Sequence, residues 1–156
     1  MHPRFLYDLD ACSIRTALET VGDPWTLKIL REAVYGLTRF DDFARALACG
    51  RGVLSGRLKA MVTAGLMERR AYAEPGQRKR AEYHLTEKGW DLFPALLALS
   101  QWSERWTPPP DGPVAKVSER ASGRPVRVSM TADPKAARLT MDEVRVQLGP
   151  GARRIA

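Results

Sequence analysis

The sequence is poor in the residues that catalysis and covalent stapling need. It holds 2 cysteines and 2 histidines in 156 residues. Cys12 and Cys49 form no Cys-x-x-Cys, so neither a zinc site nor a disulfide framework can be built from them. His2 and His84 leave metal and triad chemistry nearly without material. There is no Gly-rich phosphate loop and no His-Glu-x-x-His. Hydrolysis would need clustered carboxylates for metal ions or a nucleophile beside a base. No enzyme, cofactor or metal is therefore expected. No apolar run approaches the ~18 residues of a membrane span, and Met1-His2-Pro3-Arg4 lacks a signal-peptide pattern. A soluble, cytoplasmic protein is expected.

Negative charge is also in short supply. The chain carries 25 Lys and Arg against 18 Asp and Glu, a net +7 and a pI near 9.8. A surplus of this size points to a polyanionic partner. With 44% hydrophobic and 28% charged residues, wholesale disorder is excluded. A chain of this length buries roughly 70% of its unfolded surface, enough for a core without staples.

Thr107-Pro108-Pro109-Pro110-Asp111-Gly112-Pro113 divides the chain, because consecutive prolines stop a helix and stiffen a connector. Before it, apolar residues recur at helical spacing. A first helix is expected to Val21, with Ser13 as its N-cap. A second follows Asp23 (N-cap) and Pro24 and ends at Gly36. A third covers about Phe40 to Ala48, and a fourth, after a short turn at Cys49-Gly50, buries Leu54, Leu58 and Met61 and stops at Gly65. Leu66–Tyr72 and Arg80–Thr86 read as strands around the turn Glu74-Pro75-Gly76-Gln77. Thr86 to Trp106 reads as one long helix with Thr86 as N-cap. The order predicts a mainly α fold with a small β-wing, a winged helix-turn-helix.

A helix enters the major groove only if one face is free of core duty and carries donors. At 100° per residue from Leu54, positions Leu58, Met61 and Gly65 fall within about 40° of it. Arg51, Gly52, Ser55, Gly56 and Lys59 occupy a separate strip from roughly 60° to 200°. The two glycines weaken the helix by about 1 kcal/mol each, and close approach to nucleic acid would offset that loss. An exposed face is polar for trivial reasons too, so the strip alone decides little. The hairpin adds Arg69, Arg70, Arg78, Lys79 and Arg80. Residues 51–80 hold 8 Lys or Arg and 2 acids, which is +6 of the total +7. Solvated surfaces mix their signs, and this one does not. A basic wing beside such a helix suits phosphates flanking a groove, so double-stranded DNA is the expected partner. A winged helix that binds protein or RNA without operator specificity is the alternative.

These residues resemble the HxlR-type winged helix-turn-helix regulators of bacteria. The resemblance starts at Cys12 and runs through Gly22-Asp23-Pro24-Trp25-Thr26-Leu27-Lys28-Ile29-Leu30-Arg31 and Arg39-Phe40-Asp41-Asp42-Phe43. It continues with Val53-Leu54-Ser55-Gly56-Arg57-Leu58, Gly65-Leu66, Glu68-Arg69, Tyr83-His84-Leu85-Thr86-Glu87-Lys88-Gly89 and Gln101-Trp102. It covers about two-thirds of the chain, residues 10–106. It implies a homodimer on a roughly palindromic operator that represses or activates transcription, and in some members a cysteine at the place of Cys12 that senses oxidants or electrophiles. Cys49 departs from the pattern, which has an aliphatic residue there, and the tail lies outside it.

Cys12 thus has a redox reading, as a thiol near a helix N-terminus, beside a packing one. The last helix has too many large apolar residues for one face. Phe93, Leu96, Leu99, Trp102 and Trp106 are expected at a dimer interface, with contact to the tail or a ligand pocket as alternatives. The alternating runs at 114–118, 125–129 and 143–148 suggest a three-stranded appendage that binds a ligand, extends the dimer or covers an edge. The expected organisation is a DNA-binding and dimerisation domain at 1–106, a Pro-rich linker at 107–113 and a small β-rich appendage at 114–156. An effector, small molecule or oxidant, is left open.

Overall fold

The computed structural model of the chain describes residues 2, 6, 11–73, 80–133, 135–136 and 138–154. They gather into two units, one from the described residues of 1–33 and 37–86, the other from those of 34–36 and 87–156.

In the first unit, α1 is Ser13–Val21 and its N-cap is Cys12, with extended backbone (φ −64°, ψ 120°). Ser13, expected as the cap, is the first helical residue, and no side chain caps this end. The next start follows the sequence. Asp23 Oδ1 accepts the backbone N–H of Trp25 (2.9 Å) and Thr26 (3.3 Å), and Pro24 opens α2 (Pro24–Val34) where its missing donor costs nothing. Gly36, at φ 95°, turns the chain out. Helix α3 (Phe40–Leu47) ends on Ala48 in the left-handed region at φ 47°. The short turn through Gly50 then leads into α4 (Arg51–Thr63).

Helix α4 closes on a paired hydrogen bond. The N–H of Leu66 donates to the Met61 carbonyl (2.9 Å) and that of Gly65 to Val62 (3.0 Å). Gly65 supplies the φ of 72° this ending requires. The turn delivers buried Leu66 straight into β1 (Met67–Tyr72), which pairs antiparallel with β2 (Arg80–Leu85), Met67 facing Leu85. Arg39 bridges to Glu82, and Tyr83 N–H donates to the Thr38 carbonyl (2.8 Å), which gives β2 a second neighbour. Ile29, Leu30, Phe43, Leu54, Leu58, Met61, Leu66 and Met67 form the core, each at most 2% exposed. Burying side chains of this kind contributes roughly 1.5–3 kcal/mol each. Three of them lie on α4 and fix its rotation.

The second unit departs more from expectation. The single helix over Thr86–Trp106 is broken into α5 (Glu87–Trp90) and α6 (Phe93–Trp106). Pro94 explains the break, because its ring would strike the Trp90 carbonyl and it has no N–H to donate. It is tolerated in the first turn of α6. Thr86 Oγ1 donates to the Gly65 carbonyl (2.6 Å).

The tail forms β3 (Ala115–Glu119) and β4 (Val144–Leu148), antiparallel, with a 3₁₀ turn at Met141–Glu143 before β4. Phe93, Leu97 and Val144 are its buried centre, with Val117, Val126, Met141 and Val146 packed around them. The third expected strand does not form. Residues 125–129 make one bridge, Pro125 to Ser118, and the Gln101 side chain serves the backbone beyond. Its Nε2 donates to the Val126 carbonyl (3.0 Å) and its Oε1 accepts the Val128 N–H (3.0 Å). The end of the stiff connector expected at 107–113 is tied to the C-terminal residues. Gly149 N–H donates to Val114 (2.8 Å), Gly151 N–H to Pro113 (3.2 Å), and Arg153 pairs with Asp111. A Cβ at Gly149 or Gly151 would lie 2.1 Å from a backbone oxygen, so only glycine fits. The boundary between compact units accordingly falls after Thr86, and α6 shares its core with the segment read as an appendage.

Candidate nucleic-acid interface

Because Leu54, Leu58 and Met61 are buried, the opposite side of α4 is bare. Arg51, Gly52, Ser55, Gly56 and Lys59 are all exposed. A Cβ at Gly52 or Gly56 would meet no heavy atom within 4 Å. The fold therefore does not require glycine at either place, although each weakens the helix by about 1 kcal/mol against alanine. Arg57, part of the same basic stretch, is engaged elsewhere. It pairs with Asp23 Oδ2 at 2.8 Å, so one carboxylate caps α2 and anchors α4.

Arg51, at the start of α4, rests on α3. Its guanidinium carbon lies 4.8 Å from the Phe40 ring centroid, and Nη1 donates to Asp41 Oδ1 at 2.9 Å. The second oxygen of Asp41 lies 3.9 Å from Arg80 Nη1 on β2. Arg69 and Arg70 are exposed on β1, and Arg70 pairs with Glu68. Arg78 and Lys79 lie outside the described residues.

Two cations escaped the sequence reading. Arg39 and Arg45 line, with Arg51 and Arg80, an open groove of about 620 Å³ between α3, the start of α4 and the wing. Arg39 stacks 4.7 Å over Tyr72, and its Nε donates to Glu82 (3.4 Å). Both precede the 51–80 stretch in which the net positive charge is concentrated. The signal was present in the position of Arg39 just ahead of α3 and of Arg45 on that helix. Chemically, the surface offers guanidinium and ammonium donors for phosphate oxygens, with Arg51 and Ser55 on a helix slim enough at two glycines for base edges.

The remaining predicted residues divide. Cys12 and Cys49 are half-buried, and neither is in a disulfide. On α6, Phe93 is a correction. At 7% exposure it is covered by the tail and lies inside the second unit's core. Leu96 is half-buried, whereas Leu99 (54%), Trp102 (63%) and Trp106 (65%) are open. In the first unit, Ile14 (69%) and Leu18 (61%) are open on α1. Among the described residues, no group of three or more His, Cys, Asp or Glu could hold a metal ion, and no helix is long and apolar enough to cross a membrane.

A short-turn helix pair beside a two-stranded wing, with the second helix bare on one side, is a winged helix-turn-helix of the DNA-binding class. Residues 20–111 match the HxlR-like helix-turn-helix family. The chain belongs to that family, which consists of transcriptional regulators rather than enzymes. It is 40% identical over 139 residues to the uncharacterized HTH-type transcriptional regulator Rv3095 of Mycobacterium tuberculosis, covering 89% of this chain and 87% of that one. Among solved structures it is similar to PA1607, a transcription factor by assignment (36% identity, TM-score 0.69, 88% of this chain and 95% of that one). It is also similar to the reduced form of the redox regulator HypR, at 26% identity and TM-score 0.53 over 59% of this chain and 90% of that one.

Proposed function

We propose that this regulator works in the cytoplasm as a homodimer on an inverted-repeat operator, with α4 of each copy in a major groove. The observation that carries the reading is the bare strip of α4. Gly52 and Gly56 cost helix stability and have no packing role, yet they flank Arg51, Ser55 and Lys59. Arg51 and Ser55 read base edges. Lys59, Arg69, Arg70, Arg80 and, by sequence, Arg78 and Lys79 meet phosphates. One winged helix contacts too few base pairs to find one site in a genome, so two-fold symmetry supplies the rest. The open residues on α1 and α6, Ile14, Leu18, Leu99, Trp102 and Trp106, are the kind of apolar surface that a second copy covers.

An oxidant is the effector class best supported. Cys12 is a half-buried thiol at the N-cap of α1, without a disulfide, and HypR is named as a redox regulator. Mild peroxide should change operator affinity, and Cys12→Ser should abolish the response. A thiol titration finding Cys12 inert in the native protein would end that part of the reading.

The test of the whole is selection of a duplex from a random library, followed by binding to it, to scrambled duplex and to RNA. A preference of about 10³ or more for the selected duplex at physiological salt is expected. Equal affinity for all three would favour a module without operator specificity.

A further inference from the structure

Asp41, like Asp42, is an acid lining the cationic groove, where a bare carboxylate would repel phosphate. It lies in the first turn of α3, as does Asp42, and an acid there is favourable to the helix dipole. That explains either residue and does not distinguish them. Their contacts do. Asp41 accepts from Arg51 of α4 through Oδ1 (2.9 Å) and faces Arg80 of β2 through Oδ2 (3.9 Å). No ion pair engages Asp42 among the described residues.

The geometry points to Asp41 as a positioning residue for sequence discrimination, a role that rests on the operator reading above. The Arg51 side chain has several rotatable bonds and is 69% exposed. Left alone it would swing to whichever phosphate is nearest, on any sequence. Held between the Phe40 ring and Asp41 Oδ1, its guanidinium is kept at the head of α4, with donors left over for a base edge. Less orientation is then lost on binding, so the correct base gains more than the backbone does. Arg80, where β2 leaves the turn of the wing, is drawn to Oδ2 at 3.9 Å without a hydrogen bond. The exposed pairs contribute little to folding, so the effect of Asp41 is on where Arg51 points. The carboxylate also lowers affinity for phosphate at that spot, which penalises non-specific DNA.

Asp41→Asn separates these effects. It should tighten binding to a scrambled duplex severalfold and steepen its salt dependence by about one phosphate contact, as Arg51 is released to the backbone. The ratio of affinities for selected and scrambled duplex should fall about tenfold. Asp41→Glu should recover part of the ratio. Asp42→Asn, which makes the same change in charge and removes the same kind of first-turn acid, should leave the ratio unaltered. In an Arg51→Ala background, Asp41→Asn should change the ratio much less than it does alone. Melting temperature reports whether each variant is folded. An unchanged ratio in folded Asp41→Asn, or an equal fall in Asp42→Asn, would overturn the assignment. A wild-type protein that bound both duplexes alike would instead overturn the operator reading, and this inference with it.

Discussion

Helices α4 and α6 are nearly equal in length, at 13 and 14 residues, and each hides one face while leaving another bare. What they leave bare is opposite in kind. Helix α4 exposes two cations, a hydroxyl and two glycines on a slim surface. Helix α6 buries Phe93 and Leu97 under the β3–β4 hairpin and still exposes Leu99, Trp102 and Trp106. A polar strip with glycines suits a rigid, charged, grooved partner. Two open indoles and a leucine suit a second apolar surface. The tail matters to this contrast, because it covers one side of α6 and so decides which residues remain for association.

The largest effect is expected from Trp102→Glu. An interface anchor of this type contributes about 2–4 kcal/mol to association. Because the side chain is 63% exposed, the variant should stay folded by circular dichroism while sedimenting as a monomer and losing operator affinity. Arg51→Ala and Ser55→Ala come next. Each should weaken operator binding by about 1–3 kcal/mol and relax specificity at one position per half-site. Equal loss on random DNA would remove Arg51 or Ser55 from the base readers.

Gly56→Ala tests how closely α4 approaches DNA. Nothing lies within 4 Å of the new methyl group, so the folded protein should gain about 0.5–1 kcal/mol from helix propensity. DNA affinity should fall severalfold as the methyl group meets the groove wall. A stabilised variant with unchanged affinity would show that α4 does not approach DNA at Gly56.

The smallest effect concerns the tail. Glu143 accepts the Thr140 N–H (2.8 Å) and hydroxyl (3.0 Å), and these bonds hold its carboxyl below the usual glutamate range. A pKa depressed by folding means that the ionised form supports the structure. That support is complete above the unfolded value near ~4.3 and is lost as pH falls through the folded one. Melting temperature should therefore drop on acidification through this window, and Glu143→Gln should flatten that part of the profile.

Most of the first unit was legible because its signals are local. Asp23-Pro24, Gly36 and Gly65 mark helix ends by backbone chemistry that a neighbour or two decides, and the spacing of Leu54, Leu58 and Met61 sets which side of α4 is bare. The first cap was missed because two adjacent small polar residues, Cys12 and Ser13, compete for one position. The second unit was harder to read. Pro94 was overlooked inside a strong apolar repeat. Residues 125–129 alternate like a strand, yet beyond the bridge at Pro125 and the bond from Val126 N–H to Val117 (2.9 Å) their backbone is met by one amide on a helix, Gln101, far off in sequence. The proline run looks like a linker until Gly149 and Gly151 are seen against Val114 and Pro113. In the candidate site, the strip and wing were visible as composition. The bond from Arg51 to Asp41 depends on how α3 and α4 cross, which no spacing along one helix reveals.

In the proposed complex, two copies present their α4 strips to one duplex. Sedimentation equilibrium of the protein on the selected duplex, at micromolar concentration and physiological salt, tests it directly. Two chains per duplex are expected, on an inverted repeat whose half-sites lie about 34 Å apart, with binding lost when the spacing is changed by half a helical turn. A folded monomer of 17.4 kDa that binds one half-site with undiminished specificity would contradict it.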